Sequence, residues 1–161
     1  MNDYTDLFYT LFAVVIFAVF LLVANNVIVR NEVSKVDLEY EKTAISMAQS
    51  IVEEARKMTF DQALLDGVDQ DDLPAGFRET LGAPAGMQRR DFTVFDHFHG
   101  YADTLSTQIG DYAVEAEVVY VDGEHPHDEV SEPTYHKKLT VVVRSLESRK
   151  GATKTYIKSH F

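Results

Sequence analysis

The sequence predicts an α+β protein in which one long N-terminal helix, membrane-spanning and then amphipathic, packs on a C-terminal antiparallel sheet. Three observations predict it. An uncharged apolar run lies near the N-terminus. An apolar stripe at intervals of three or four residues follows, uninterrupted by Pro or Gly. Near the C-terminus, three segments alternate apolar and polar residues with period two. The chain therefore divides into a transmembrane segment over 1–29, an amphipathic continuation over 30–59, and a loop-rich segment with a β domain over 60–161.

Leu7 to Val29 reads LFYTLFAVVIFAVFLLVANNVIV, 23 residues without a charge. At about 1.5 Å per residue such a helix covers the roughly 30 Å hydrocarbon core of a bilayer. Its β-branched and aromatic residues are weak helix formers in water. In lipid the backbone must satisfy itself, and the helix is the way to do so. The residues ahead of the run are acidic, the run is longer than a signal-peptide core, and no A-x-A-like site follows, so the segment reads as an anchor rather than a cleaved signal.

Beyond Val29 the pattern becomes amphipathic. Val33, Val36, Tyr40, Ala44, Ala48, Ile51, Ala55 and Met58 lie on one helical face. No Pro or Gly occurs between Asp6 and Thr59, so one helix is expected from about residue 6 to 58, on the order of 80 Å long. Its stripe needs a partner, and the chain's own sheet is the expected one. Residues 60–100 carry Gly67, Pro74, Gly76, Gly82, Pro84, Gly86 and Gly100, a loop-rich stretch with short helical turns expected at Asp61–Leu65 and Phe77–Leu81.

Three strands are expected. In Tyr112–Val121 the residues Tyr112, Val114, Ala116, Val118 and Tyr120 face inward. In Lys138–Arg144 these are Leu139, Val141 and Val143. In Thr153–Phe161 they are Thr155, Ile157 and Phe161, with Lys154, Lys158 and His160 outward. Short connections favour an antiparallel meander. The connection from Asp122 to Thr134, acidic and histidine-bearing, reads as a mobile surface loop.

The net charge of -11 opposes docking on phosphate backbones and on anionic headgroups. The absence of cysteine removes disulfides, thiolate nucleophiles and Cys-based zinc sites. His97, His99, His125, His127 and His136, with Asp96 and Asp128, could in principle ligate a metal, but exposed loop histidines are far commoner than metal sites, and none is assigned. Asp69, Asp71 and Asp72 lack the Gly and Glu spacing of a calcium loop. Glu53 and Glu54 are adjacent on a helix and read as a solvated face. No nucleophile elbow, zinc-protease or phosphate-loop motif occurs, so neither an enzyme nor a bound cofactor is expected.

The order of parts, with the run AISMAQSIVEEARKMTFDQAL (Ala44–Leu64), the segment FDHFHGYADT (Phe95–Thr104) and the strands YAVEAEVVYVDG and YHKKLTVVVRS, resembles the type IV pilin-like proteins, the minor pilins and pseudopilins. No leader glycine or basic leader precedes the span, and a disulfide is impossible, so the chain resembles a divergent member without a recognisable leader cleavage site. The resemblance implies a structural subunit of a pilus-like filament or secretion pseudopilus. Its partners would be membrane lipid and copies of itself or other pilin-like subunits, with no nucleic acid and no small-molecule substrate. It also implies that Asp6, where the family carries a glutamate, takes part in assembly, and Tyr4 and Asn25 could be satisfied across neighbouring helices in the same way. The alternative is a membrane-tethered binding or sensing module that does not polymerise.

Orientation sets two rules against each other. Asp3 and Asp6 precede the span and Arg30, Lys35 and Lys42 follow it, which by the positive-inside rule puts the C-terminal domain in the cytoplasm. The resemblance implies the opposite, a domain outside the inner membrane. That placement is the expectation adopted, because Arg30 and Lys35 can snorkel or pair with Glu32 and Glu39.

Overall fold

The computed structural model describes residues 3–160 and has the predicted α+β architecture. The elements are helix α1 (Asp3–Lys57), a one-turn helix α2 (Gln62–Asp66), and strands β1 (Tyr101–Thr107), β2 (Gly110–Val121), β3 (Glu129–Val130), β4 (His136–Ser145) and β5 (Gly151–Ser159). Three short 3-10 turns lie between α2 and β1. The chain divides into two compact units, residues 1–39 and 40–161.

The first unit is the apolar part of α1. None of its most apolar window is buried, and α1 is the one helix among the described residues long and apolar enough to cross a membrane. The stripe residues Val33 and Val36 are also exposed.

In the second unit the stripe is covered. Ala44, Ala48, Ile51 and Ala55 are buried in a core with Tyr112, Val114, Ala116 and Val118 of β2 and Leu139, Val141 and Val143 of β4. Three alanines on the contact face let the helix approach the sheet closely, and Phe92, Phe95 and Phe98 from the preceding loop fill the same core. The expected packing of the helix on the chain's own sheet therefore holds from Tyr40 to Met58.

The sheet is antiparallel throughout, in the order β1-β2-β4-β5, with β3 pairing the far end of β2. Tyr112 stands opposite Ser145 and Tyr120 opposite Lys137, so the inward faces of β2 and β4 are in register. β1 had not been expected. It is an edge strand whose residues Ala102, Asp103 and Thr104 are exposed, so no apolar alternation marks it. Gly151 opens β5 where a Cβ would lie 2.5 Å from the Val143 carbonyl oxygen, leaving no room for any other residue.

Two expectations are corrected. The face of β5 is reversed: Leu139 pairs with Tyr156 and Val143 with Ala152, so Ala152 and Tyr156 pack on the core while Thr155 and Ile157 are exposed. Lys158 and His160 share the inward face because their stems and ring can cover apolar surface while their polar atoms find partners. Phe161 lies outside the described residues. Phe77–Leu81 forms no helical turn, although Asp61–Leu65 does, shifted by one residue into α2. The Asp122–Thr134 connection lies at the surface as expected and carries internal ties. Asp122 Oδ1 accepts from the amides of Glu124 (2.6 Å) and His125 (2.9 Å), and β3 folds back onto Tyr120 and Val121.

The alanine face of α1 yields a prediction. Ala48 has no exposed surface, so Ala48→Leu should overpack the helix–sheet contact and cost about 1–3 kcal/mol. Denaturant unfolding of the full chain in detergent, followed by near-ultraviolet circular dichroism, checks this. Unchanged stability would mean that the helix does not pack as described.

Candidate functional site

The sequence repeats the dipeptide Phe-Asp at 60–61 and at 95–96. The fold brings the two copies side by side. Thr59 and Val94 form an isolated parallel bridge, and the Phe95 amide donates to the Thr59 carbonyl at 2.8 Å. Asp61 and Asp96 each stand two residues beyond a bridge partner. Between them arrives Lys137, from the inward face of β4 in phase with Leu139, Val141 and Val143.

Lys137 has 0% exposed surface. Its ammonium has three hydrogens and three acceptors: Asp61 Oδ2 at 2.6 Å, the Phe60 carbonyl at 3.2 Å, and Asp96 Oδ1 in close contact. The rings of Phe60 and Tyr120 flank it, with centroids 4.5 and 4.8 Å from Nζ. Such a cation in an apolar core costs several kcal/mol to desolvate and is tolerable only when paired and fully hydrogen-bonded.

The two carboxyls are not equivalent. Asp61 caps α2, accepting from the Ala63 amide at 2.8 Å through Oδ1 and from the Arg78 amide at 3.3 Å through Oδ2. The Tyr120 hydroxyl lies 3.2 Å from Asp61 Oδ2 and 2.8 Å from the Arg78 carbonyl, and shares its proton between them. Burial pushes the Asp61 carboxyl up, but the Lys137 hydrogen bond and charge, the Ala63 amide and the Tyr120 hydroxyl outweigh it, and the group sits below the usual carboxylate range. The one side-chain donor to Asp96 is Lys137, on Oδ1, and Oδ2 is buried with no hydrogen-bond partner among the described residues. Burial dominates there and pushes its carboxyl up to about 7. Tyr120 is pushed up by burial and by the neighbouring Asp61 and Asp96, and remains a hydroxyl. One cluster thus holds an ionised carboxylate, a carboxyl that is easily neutral, and an amine between them.

Beside it, Lys158 Nζ donates to the carbonyls of Arg56 (2.8 Å) and Met58 (2.6 Å), closing the C-terminal end of α1. Tyr120, Lys137 and Lys158 are consecutive cross-strand partners, so these polar contacts to the segment at the helix end come from one row of the sheet.

The other residues singled out in the sequence are dispersed. Tyr4, Asp6 and Asn25 are exposed on α1, and Tyr4 and Asp6 stand near the opposite end of the apolar run from Asn25. Among the described residues no three His, Asp or Glu side chains are placed to hold a metal. His97 is buried against Phe92, His99 Nδ1 lies 2.7 Å from the Val118 carbonyl, and His136 bonds Ser159 at 2.8 Å. His125 lies 3.9 Å from Asp122, and His127 and Asp128 are exposed in the same turn. Asp96 points to Lys137 rather than to a histidine. Asp69 caps an exposed 3-10 turn that contains Asp71 and Asp72. Glu54 is half-buried and paired with Arg89 rather than solvated, whereas Glu53 bonds Gln49 and Arg56 at the surface.

No protein-family model matches the chain, and no curated protein or solved structure does.

Removing the cation tests the cluster. Lys137→Met leaves buried carboxyls without a counter-ion and should cost roughly 3–5 kcal/mol. Lys154→Met, exposed on the neighbouring strand, should change stability by no more than about 0.5 kcal/mol. Equal effects of the two substitutions in denaturant unfolding would contradict the structure.

Proposed function

We propose that the chain is a pilin-like structural subunit, anchored in the inner membrane by the first half of α1 and displaying its sheet domain outside the cytoplasm, where it assembles through that helix into a filament or pseudopilus. The observation that carries the reading is the division of one helix into two differently covered halves. From Ala44 to Ala55 the apolar stripe is buried on the chain's own sheet, while the most apolar window of Leu7–Val29 is not buried by any of the described residues. At roughly 1.5–3 kcal/mol per large apolar side chain, leaving that run in water would cost tens of kcal/mol. That exceeds the whole stability of a typical domain, about 5–15 kcal/mol, so lipid or other helices must cover it.

The exposed Asp6, Tyr4 and Asn25 supply polar atoms that neighbouring helices can satisfy, which favours association over isolated spanning. The orientation follows from the pilin-like reading, and Lys35 Nζ, 2.9 Å from Glu32 Oε1 on the same helix, has its charge met locally. A tethered module that does not polymerise shares the same anchor, and the same experiment separates the two.

The chain lacks cysteine, so single cysteines between Val14 and Val27 report neighbours without background. In native membranes, oxidation should give crosslinked dimers that recur every three or four positions. Protease applied to spheroplasts should remove the sheet domain. Monomers at every position would contradict assembly, and a protected sheet domain would contradict the orientation.

A further inference from the structure

A primary amine touching a carboxylic acid in a buried, aromatic-lined pocket, with a second carboxylate on the same nitrogen, has the components of an amide-forming reaction. We infer that Lys137 and Asp96 condense into an intramolecular isopeptide bond, Nζ to Cγ, with Asp61 as the proton-transferring catalytic residue.

The geometry divides the roles. Asp96 is the electrophile: Oδ1 touches Lys137 Nζ, and Oδ2 is buried and has no hydrogen-bond partner, which suits the protonated oxygen of a neutral acid. Asp61 is a poor electrophile, because its two oxygens accept from the Ala63 and Arg78 amides, the Tyr120 hydroxyl and Lys137. Those same bonds hold it as a fixed carboxylate 2.6 Å from Nζ, placed to take a proton. Neutralisation of Asp96 by burial agrees with this assignment.

The reaction balances without a co-reactant. A proton moves from the Lys137 ammonium to Asp96, giving a neutral amine beside a neutral acid, the pair favoured in an apolar site. The Nζ lone pair attacks Cγ of Asp96, and the carbonyl electrons move onto Oδ1. Asp61 removes a proton from the nitrogen and delivers it to the Oδ2 hydroxyl. The Cγ–Oδ2 bond breaks, water leaves, the carbonyl re-forms, and Asp61 is again a carboxylate. The products are one secondary amide and one water.

Two physical terms favour the product. Groups held in attack geometry reach effective molarities on the order of 10⁵–10⁸ M, far above that of the water that would reverse the step. The amide also replaces a buried ion pair, whose desolvation is expensive, with a neutral group. The bond would join β4 to the turn preceding β1 across the core, giving a cysteine-free domain a covalent tie.

Intact-mass spectrometry of the purified full chain in detergent tests the bond. The expected mass is lower than the sequence mass by one water, and proteolysis should yield one branched peptide containing both Lys137 and Asp96. Lys137→Arg and Asp96→Ala should each show the full mass of their own sequence. Asp61→Asn, which keeps the side-chain shape but cannot take the proton, should also remain at full mass. Wild-type chain at full mass, with Lys137 recovered in a linear peptide, would overturn the inference whatever the variants do. Rapid water loss in Asp61→Asn would overturn the role of Asp61.

Discussion

Lys137 is a cation with no exposed surface, and the fold around it is arranged to make that possible. Its three hydrogens go to Phe60, Asp61 and Asp96, which come from the segment after α1 and from the turn before β1. A buried ammonium is tolerated only if every donor is used. The constraint therefore fixes the path of the chain after the helix, the parallel bridge between Thr59 and Val94, and the register of β4. Hydrophobic burial of the alanine face supplies adhesion between helix and sheet, but it is non-directional. The ionic cluster specifies where along the sheet the helix stops. Lys158, next in the same cross-strand row, satisfies the helix's last carbonyls and completes that stop.

α1 meets two environments along one continuous secondary structure. Its second half is amphipathic in the ordinary way, with small buried residues facing a sheet and charged residues facing solvent. Its first half is apolar on all sides, and among the described residues none of its most apolar window is buried. In the proposed role the two halves would divide the tasks: the apolar half would anchor and associate, while the sheet domain is a folded surface held by its own core. The asymmetry between Asp61 and Asp96 belongs to the second task. It shows how equal side chains acquire different protonation behaviour from the hydrogen bonds offered to them.

Much of this was legible in the sequence where burial leaves a period. The long helix, the inward faces of β2 and β4 and the α+β class follow from spacings of three to four and of two. β1 was hidden because only Tyr101 and Leu105 of this edge strand pack on the core, and the exposed Asp103 between them breaks the alternation. The face of β5 was misread because Ile157 is more apolar than Lys158 and His160, yet those two long or flat side chains line the interior while Ile157 is 38% exposed. The cluster itself left two traces. Lys137 is in phase with Leu139, Val141 and Val143, which marks either a strand end or a buried cation, and the expected strand, Lys138–Arg144, begins one residue after it. The dipeptide Phe-Asp occurs at both positions that reach it, but nothing local says that the copies meet, because the bridge joins residues 35 positions apart.

The central claim is that the helix end and the sheet form one cooperative structure through the Lys137 cluster. Site-resolved amide hydrogen exchange of the full chain tests it most directly. The amides of Phe95, bonded to Thr59, and of Ala63, bonded to Asp61, should exchange only with global unfolding, at the same free energy as Val141 in the centre of β4. Exchange of Phe95 and Ala63 through a separate opening, while Val141 remains protected, would contradict the account.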